Sequence, residues 1–280
     1  MNISERRVRA GRLELNVAEV GQGPPILILH GFPEYWAGFR GQMQALAAAG
    51  FRAIAPDLPG YGKSDKFAHT LDYESSLLAG DLAALVPALG LERAHVIGHD
   101  WGGTLAYCLA SRHPDVVDRL LVMNAGHPEL FRLALRHFEQ IRKSWYMFMF
   151  QLPFLPEWLI RRRFALSIAL RGLAVNPHAF SDADLDDYLR AMRLDGVAHA
   201  AVSYYRAAFR APVRAVQRID HQTRVLWGQR DKALSERLLL NGLEAHVPNV
   251  SITRFADAGH WLHHDQPEPV SRAIIEFFSG

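Results

Sequence analysis

Gly98-His99-Asp100-Trp101-Gly102-Gly103 follows a short apolar run, His95 to Gly98, and opens a helix-like stretch, Gly103 to Ser111. A strand that turns sharply into a helix around one side chain, with glycines on either side, is the Gly-x-nucleophile-x-Gly elbow. The bend holds its central residue strained and exposed, and the glycines let sheet and helix approach closely. That residue is Asp100. Aspartate also caps ordinary helices, and glycine-rich strand–helix turns occur without catalysis, so the six residues alone leave a structural turn open.

Similar apolar runs recur outward from the elbow: Ile26 to His30, Phe51 to Pro56, Leu120 to Met123 and Val225 to Trp227. Unbroken and short, they read as strands buried on both faces of a parallel sheet. Leu13, Leu15 and Val17 alternate with polar residues, the pattern of a strand with one buried face. Helix-like segments such as Leu77 to Leu89 separate the runs, and right-handed crossovers then give an α/β architecture with a mostly parallel, doubly wound sheet. The alternation stops after Gly126-His127-Pro128. From there to Arg210 the chain carries Arg, Phe, Tyr and Leu at helical spacing without a clear strand, and the alternation resumes past Ala211-Pro212. The expected organisation is a core of residues 1–128 and 212–280 with a helical cap, 129–211, inserted in it.

An aspartate at the elbow restricts the chemistry. Attack of a carboxylate on an ester or amide carbonyl makes a high-energy anhydride, whereas attack on a saturated carbon makes an ordinary ester. The electrophile is then an sp³ carbon with a leaving group, and water must cleave the resulting aspartyl ester. That second step needs a base, and the order nucleophile, acid, histidine along the chain directs the search to the C-terminal part. His260, in Asp257-Ala258-Gly259-His260-Trp261, follows the glycine that lets the loop turn inward; His263 and His264 are its rivals. Asp231, just past the run ending at Gly228, stands at the C-terminal edge of a strand and would fix the imidazole tautomer, with Asp257 as the alternative. Phe32, in His30-Gly31-Phe32-Pro33, and Trp101, directly after the nucleophile, are the expected backbone donors of an oxyanion hole.

Composition narrows the partners. Thirty-one basic residues against 29 acidic ones leave little net field for nucleic acid or an anionic membrane, and neither is expected as a partner. The single cysteine, Cys108, can form no internal disulfide and reads as a small core residue. Arg6, Arg7, Arg9 and Arg12 interrupt every apolar stretch near the N-terminus, so no signal-peptide core is read there and cytoplasmic residence is expected. The most apolar stretch, Trp145 to Ile160, is broken by Gln151, Pro153, Pro156 and Glu157 and falls short of the roughly 20 residues of a membrane span.

The motifs His30-Gly31-Phe32-Pro33-Glu34, Asp57-Leu58-Pro59-Gly60-Tyr61-Gly62-Lys63-Ser64, Gly98-His99-Asp100-Trp101-Gly102-Gly103 and Gly259-His260-Trp261 together resemble the epoxide-hydrolase branch of the α/β-hydrolases, over nearly the whole chain. The resemblance implies the α/β-hydrolase fold, a small apolar epoxide and water as reactants, and no cofactor or metal. It also implies two cap tyrosines that bind and protonate the epoxide oxygen. Tyr146 in Tyr146-Met147-Phe148-Met149-Phe150-Gln151 and Tyr205 in Tyr204-Tyr205-Arg206 are similar to them, while Ser203 stands where the family often has asparagine. Successive helical residues point about 100° apart, so only one of Tyr204 and Tyr205 faces a pocket squarely; Tyr205, directly before arginine, is the better match. A haloalkane dehalogenase shares the Asp-Trp-Gly sequence and is the rival reading; Phe32 stands near where that family often has a second halide-binding Asn or Trp. A fluoroacetate dehalogenase pattern has arginine where Trp101 stands. A non-catalytic receptor on the same scaffold is the remaining alternative.

Overall fold

The computed structural model describes residues 2–211 and 216–280. Eight strands form one sheet: β1 (Ser4–Ala10), β2 (Leu13–Val20), β3 (Pro25–Leu29), β4 (Arg52–Pro56), β5 (Ala94–His99), β6 (Val117–Met123), β7 (Thr223–Gly228) and β8 (Val250–Phe255). Their order across the sheet is β1-β2-β4-β3-β5-β6-β7-β8, with β3 to β8 parallel and β1 and β2 antiparallel at one edge. The mostly parallel, doubly wound expectation therefore holds. α1 (Arg40–Ala48), α2 (Ser75–Ala88), α3 (Trp101–Arg112) and α13 (Pro267–Ser279) cover the sheet.

The unbroken apolar runs are explained by burial on two faces. Leu27 and Leu29 of β3 pack with Leu82 of α2 and Leu105 of α3. Their neighbours Ile26 and Ile28 pack with Met43 of α1 and Ile274 of α13 on the opposite face. A period-2 side-chain alternation thus feeds two cores at once.

The edge of the sheet departs from the sequence reading in two places. β1 is a strand although arginines dominate it, because only Val8 and Ala10 are buried and a charged edge discourages pairing with other chains. β2 is buried on both faces, not one. Asn16 lies inside because its amide donates to the Asp57 carboxylate at 2.9 Å, and Ala18 packs with the α1 side of the sheet. A hydrogen-bonded polar residue at the core reads in a sequence like a solvent-facing one.

Between β6 and β7 the described residues form seven helices and no strand: α4 (Pro128–Ala134), α5 (Phe138–Lys143), α6 (Trp145–Met149), α7 (Leu155–Ile160), α8 (Arg163–Leu170), α9 (Asp182–Arg193) and α10 (Val197–Arg210). α9 starts with a capping box, in which Ser181 and Asp184 satisfy each other's backbone N–H. Pro212, where the return to the core is expected, lies outside the described residues. α11 (Glu236–Leu240) and α12 (Leu262–Asp265) flank the loops after β7 and β8. No helix among the described residues is long and apolar enough to cross a membrane.

The elbow joins β5 to α3, and Asp100 occupies it at φ 51° and ψ −120°, a conformation that costs a non-glycine residue energy and persists only under tight packing. The packing is backbone on backbone. A Cβ on Gly102 would sit 2.0 Å from the Leu29 carbonyl oxygen, and one on Gly98 would sit 2.4 Å from the Gly102 oxygen. Gly102→Ala should therefore destabilise the chain by about 3 kcal/mol through overpacking. An unchanged urea midpoint for Gly102→Ala would show that the elbow is not held this way.

Candidate active site

Every loop that carries a candidate residue leaves the C-terminal end of a parallel strand, where sites in open α/β sheets form. The loop after β3 carries Phe32, Asp100 directly follows β5, the loop after β7 carries Asp231 and the loop after β8 carries His260. α6 supplies Tyr146 and α10 supplies Tyr205 from above. The six side chains line one cavity of about 640 Å³, walled also by Trp145 and Phe150.

The two carboxylate oxygens of Asp100 have different neighbours. Oδ1 accepts the Phe32 N–H at 2.9 Å, while Oδ2 lies 3.6 Å from His260 Nε2. Trp101, the other expected donor, makes no N–H bond to this carboxylate in the structure. His30 fixes the Phe32 loop, its Nε2 accepting from Leu58 N–H at 2.9 Å and its Nδ1 bonding the Gly31 oxygen at 3.0 Å.

His260 Nδ1 donates to Asp231 Oδ2 at 2.9 Å. Asp231 is fully engaged: Oδ2 also accepts from Asn124 Nδ2 at 2.7 Å, and Oδ1 accepts the N–H groups of Ala233 and Leu234 at 2.7 and 2.9 Å. Burial works against the Asp231 carboxylate, but His260, Asn124 and the Leu234 N–H together hold its pKa below the ordinary value. For His260 burial disfavours the imidazolium, yet the carboxylates of Asp231 and Asp100 outweigh it and push its pKa up to about 10. The resting site therefore holds an imidazolium between two carboxylates.

Rivals from the sequence lie elsewhere. Asp257 pairs with Arg230 at the surface. His263 and His264 bond the buried Glu34 carboxylate through Nε2, at 3.2 and 2.7 Å. Tyr204 donates to the Pro59 carbonyl at 2.8 Å and packs on Tyr61 and Tyr73, so it is turned from the cavity that Tyr205 lines. Tyr146 and Tyr205 lie edge to face with ring centroids 5.8 Å apart. Burial and then the Asp100 charge raise the pKa of both phenols well above the ordinary tyrosine value, so both remain protonated.

Residues not predicted from the sequence complete the site. Asn124 follows β6 and also bonds Gly228 through both amide atoms, clamping the loop that carries Asp231. Asp265 accepts Gly259 N–H at 2.8 Å and the N–H groups of Val175 and Asn176 at 2.8 and 2.9 Å, tying the His260 loop to the segment between α8 and α9. Behind the His260 ring, His99 Nε2 donates to the His260 carbonyl at 2.9 Å, and Glu34 also accepts from Tyr188 on α9 at 2.9 Å. Burial opposes the Glu34 charge, but His263, His264 and His99 hold it well below the carboxylate range. Glu34, His263 and His264 bring three potential metal-ligating atoms within 4.8 Å of one another, and hydrogen bonds among them already account for the grouping. Glu34 belongs to a motif quoted above and His99 to the elbow, but only the fold brings them together.

A strand-to-helix elbow, a buried acid–histidine pair and a backbone donor over the elbow carboxylate define an α/β-type hydrolase. The chain matches the family described as alpha/beta hydrolase fold over residues 24–267. It is 36% identical, over 98% of its length, to the AB hydrolase superfamily protein YfhM of Bacillus subtilis (strain 168), covering 97% of that protein. It is 36% identical over 91% of its length to Epoxide hydrolase 3 of Xenopus tropicalis, covering 71% of that protein. The crystal structure of Bacillus megaterium epoxide hydrolase in complex with an inhibitor matches with a TM-score of 0.87 at 28% identity, covering 98% of this chain and 100% of that one. This chain belongs to the alpha/beta hydrolase fold family, in its epoxide hydrolase branch.

His260 binds its proton more tightly folded, at about 10, than at its ordinary value of 6.5. Its contribution to stability is complete below about pH 6.5 and is lost as pH rises toward 10. The Tm of the wild type should fall across that window by more than the Tm of His260→Gln; parallel profiles would remove the imidazolium from the resting site.

Proposed function

We propose that this chain is an epoxide hydrolase converting small apolar epoxides to vicinal diols through an ester on Asp100. In this reading residues 1–128 and 212–280 are the catalytic core, 129–211 is the cap, and the enzyme is cytoplasmic. The observation that carries it is the meeting, in one apolar cavity, of an elbow carboxylate and two un-ionised phenols, Tyr146 and Tyr205.

Asp100 Oδ2 attacks an epoxide carbon, a C–O ester bond forms and the ring C–O bond breaks. An expelled alkoxide is far more basic than a phenolate, so it takes a proton from one of the tyrosines. Esterification cancels the Asp100 charge, one of the two that favour the imidazolium. His260 then gives up its proton, which restores the phenol and leaves a neutral imidazole. That imidazole removes a proton from water as it adds to the ester carbonyl. Phe32 N–H, already on Oδ1, stabilises the developing oxyanion, with Trp101 N–H as a proposed second donor. Collapse breaks the ester C–O bond, the departing alkoxide takes the proton of the new carboxylic acid, and Asp100 and the imidazolium return. Asp231 holds the tautomer throughout.

The haloalkane dehalogenase reading uses the same nucleophile, with Trp101 offering its indole N–H to halide. A halide leaving group needs no proton, which leaves the two phenols without a task, and Phe32 offers no polar side chain. Styrene oxide and 1-bromobutane separate the readings: diol release is expected, bromide release favours the rival, and inertness toward both favours a receptor.

In His260→Gln the ester should form and persist, so mass spectrometry should find Asp100 carrying the mass of the epoxide; an unmodified Asp100 would sink the scheme. Tyr146→Phe combined with Tyr205→Phe should slow single-turnover ring opening by about 10²–10⁴-fold while hydrolysis of the ester changes far less. Equal losses in both steps would remove the acid role.

A further inference from the structure

Twelve of the fourteen exposed large apolar side chains among the described residues belong to the stretch 129–211. That stretch also holds twelve Lys and Arg against eight Asp and Glu, an imbalance concealed by the near-neutral whole chain. Four of the twelve, Leu152, Phe154, Leu155 and Trp158, sit together on the turn Leu152-Pro153-Phe154-Leu155 and the start of α7, where Phe154 is 85% and Trp158 51% exposed, whereas Trp145, Phe164 and Ile168 line the catalytic cavity. Phe154 adopts φ 62°, a left-handed backbone that is strained for an aromatic residue and that sets its ring at the tip of the turn.

The turn is built, not loose. Arg206 of α10, almost fully buried, donates to the Phe150 carbonyl at 3.1 Å and the Leu152 carbonyl at 2.6 Å while pairing with Glu157. That pair uses the one acidic side chain of an adjoining cleft of about 870 Å³. Around the cleft stand Arg161, Arg162, Arg193 and Arg210, none of which pairs with a carboxylate among the described residues. Four clustered guanidiniums repel one another and call for anions, and an apolar tip beside them calls for hydrocarbon.

We propose that this prow docks the protein on an anionic lipid surface, with Phe154, Leu155 and Trp158 entering the acyl boundary and Arg161, Arg162, Arg193 and Arg210 meeting lipid phosphates. Aromatic and leucine side chains on one side with arginines on the other is the composition of interfacial anchors. Arginine also fits phosphate by its planar fork of donors. α7 bears the prow residues Leu155 and Trp158, and its Leu159 and Ile160 line the catalytic cavity, so the lipid would lie against the helix that walls the site. The near-zero net charge that argued against a membrane partner averages over a core and an insertion of opposite sign.

The test is co-flotation of the full chain with vesicles of phosphatidylcholine alone and of phosphatidylcholine with phosphatidylserine, at low and high salt. Binding to the mixed vesicles, weaker on phosphatidylcholine and weakened by salt, is expected. Each arginine near such a surface changes partition about fivefold, so Arg161→Gln with Arg162→Gln should lose about 25-fold. Phe154→Ser should lose about tenfold or more. All variants should keep wild-type turnover of a water-soluble epoxide, which separates a failure here from a failure of the proposed reaction. No flotation, or flotation unchanged in the variants, would overturn the proposal. So would a lipid-free dimer in analytical ultracentrifugation that Phe154→Ser dissociates, since the prow would then seat a second copy of the chain.

Discussion

The site depends on close approach of two backbones. α3 can begin where it does only because Gly98 and Gly102 carry no side chain, leaving the end of β3 in contact with the first turn of the helix. That contact forces Asp100 into a positive φ and lifts its carboxylate clear of the sheet. The same approach brings the β3 loop over the elbow: a Cβ on Gly31 would lie 2.4 Å from the Asp100 Cβ, and the next residue delivers its N–H to Oδ1. Strain, exposure and oxyanion contact thus share one cause. The strain is stored at Asp100 and offset by two cores packed on either face of β3 and β5.

Electrostatics then divides the labour among groups of similar intrinsic acidity. Asp231 and Asp100 are both carboxylates beside His260, but Asp231 is saturated by four hydrogen bonds and has no freedom to react. Asp100 has one oxygen held and the other facing the cavity. Charge on the carboxylates keeps the imidazole protonated, and burial together with the Asp100 charge keeps the phenols from ionising. In the proposed reaction, converting Asp100 to a neutral ester would weaken the hold on the imidazolium proton at the moment a base is required. The proposed reaction uses this order, in which the first bond formed prepares the second step.

Local signals made the elbow, the parallel strands and the helical stretch legible, because each rests on residues adjacent in sequence. Asp231 and His260 were found from strand ends and a glycine, and the fold brings them within 2.9 Å. The choice between Tyr204 and Tyr205 was not decidable from helix periodicity alone; it turns on the Pro59 carbonyl, 145 residues away in sequence, that takes the Tyr204 hydroxyl. Asn124 and the Glu34 cluster were illegible for the same reason. Buried polar groups need partners, and those partners come from distant loops. β1 was missed because an edge strand needs few apolar residues, and β2 was misread because Asn16 is buried with its bond to Asp57.

The helices between β6 and β7 answer to two environments at once. Their inner side presents Tyr146, Phe150 and Tyr205 to the cavity, so apolar residues there lower the local dielectric and keep the phenols neutral. Their outer side, instead of reverting to the charged surface usual for a soluble helix, keeps large apolar groups among arginines. Burying the outer groups is not needed for the core, since Phe154 and Trp158 contribute little to it while exposed. Nor does Arg206 serve only the fold, because the carbonyls it holds belong to the turn that carries Phe154 outward. One buried guanidinium on α10 thus fixes the prow, while Tyr205, the preceding residue on the same helix, lines the cavity with Asp100. Adjacent residues of α10 thus face opposite ways, Arg206 into the turn that carries Phe154 and Tyr205 into the cavity.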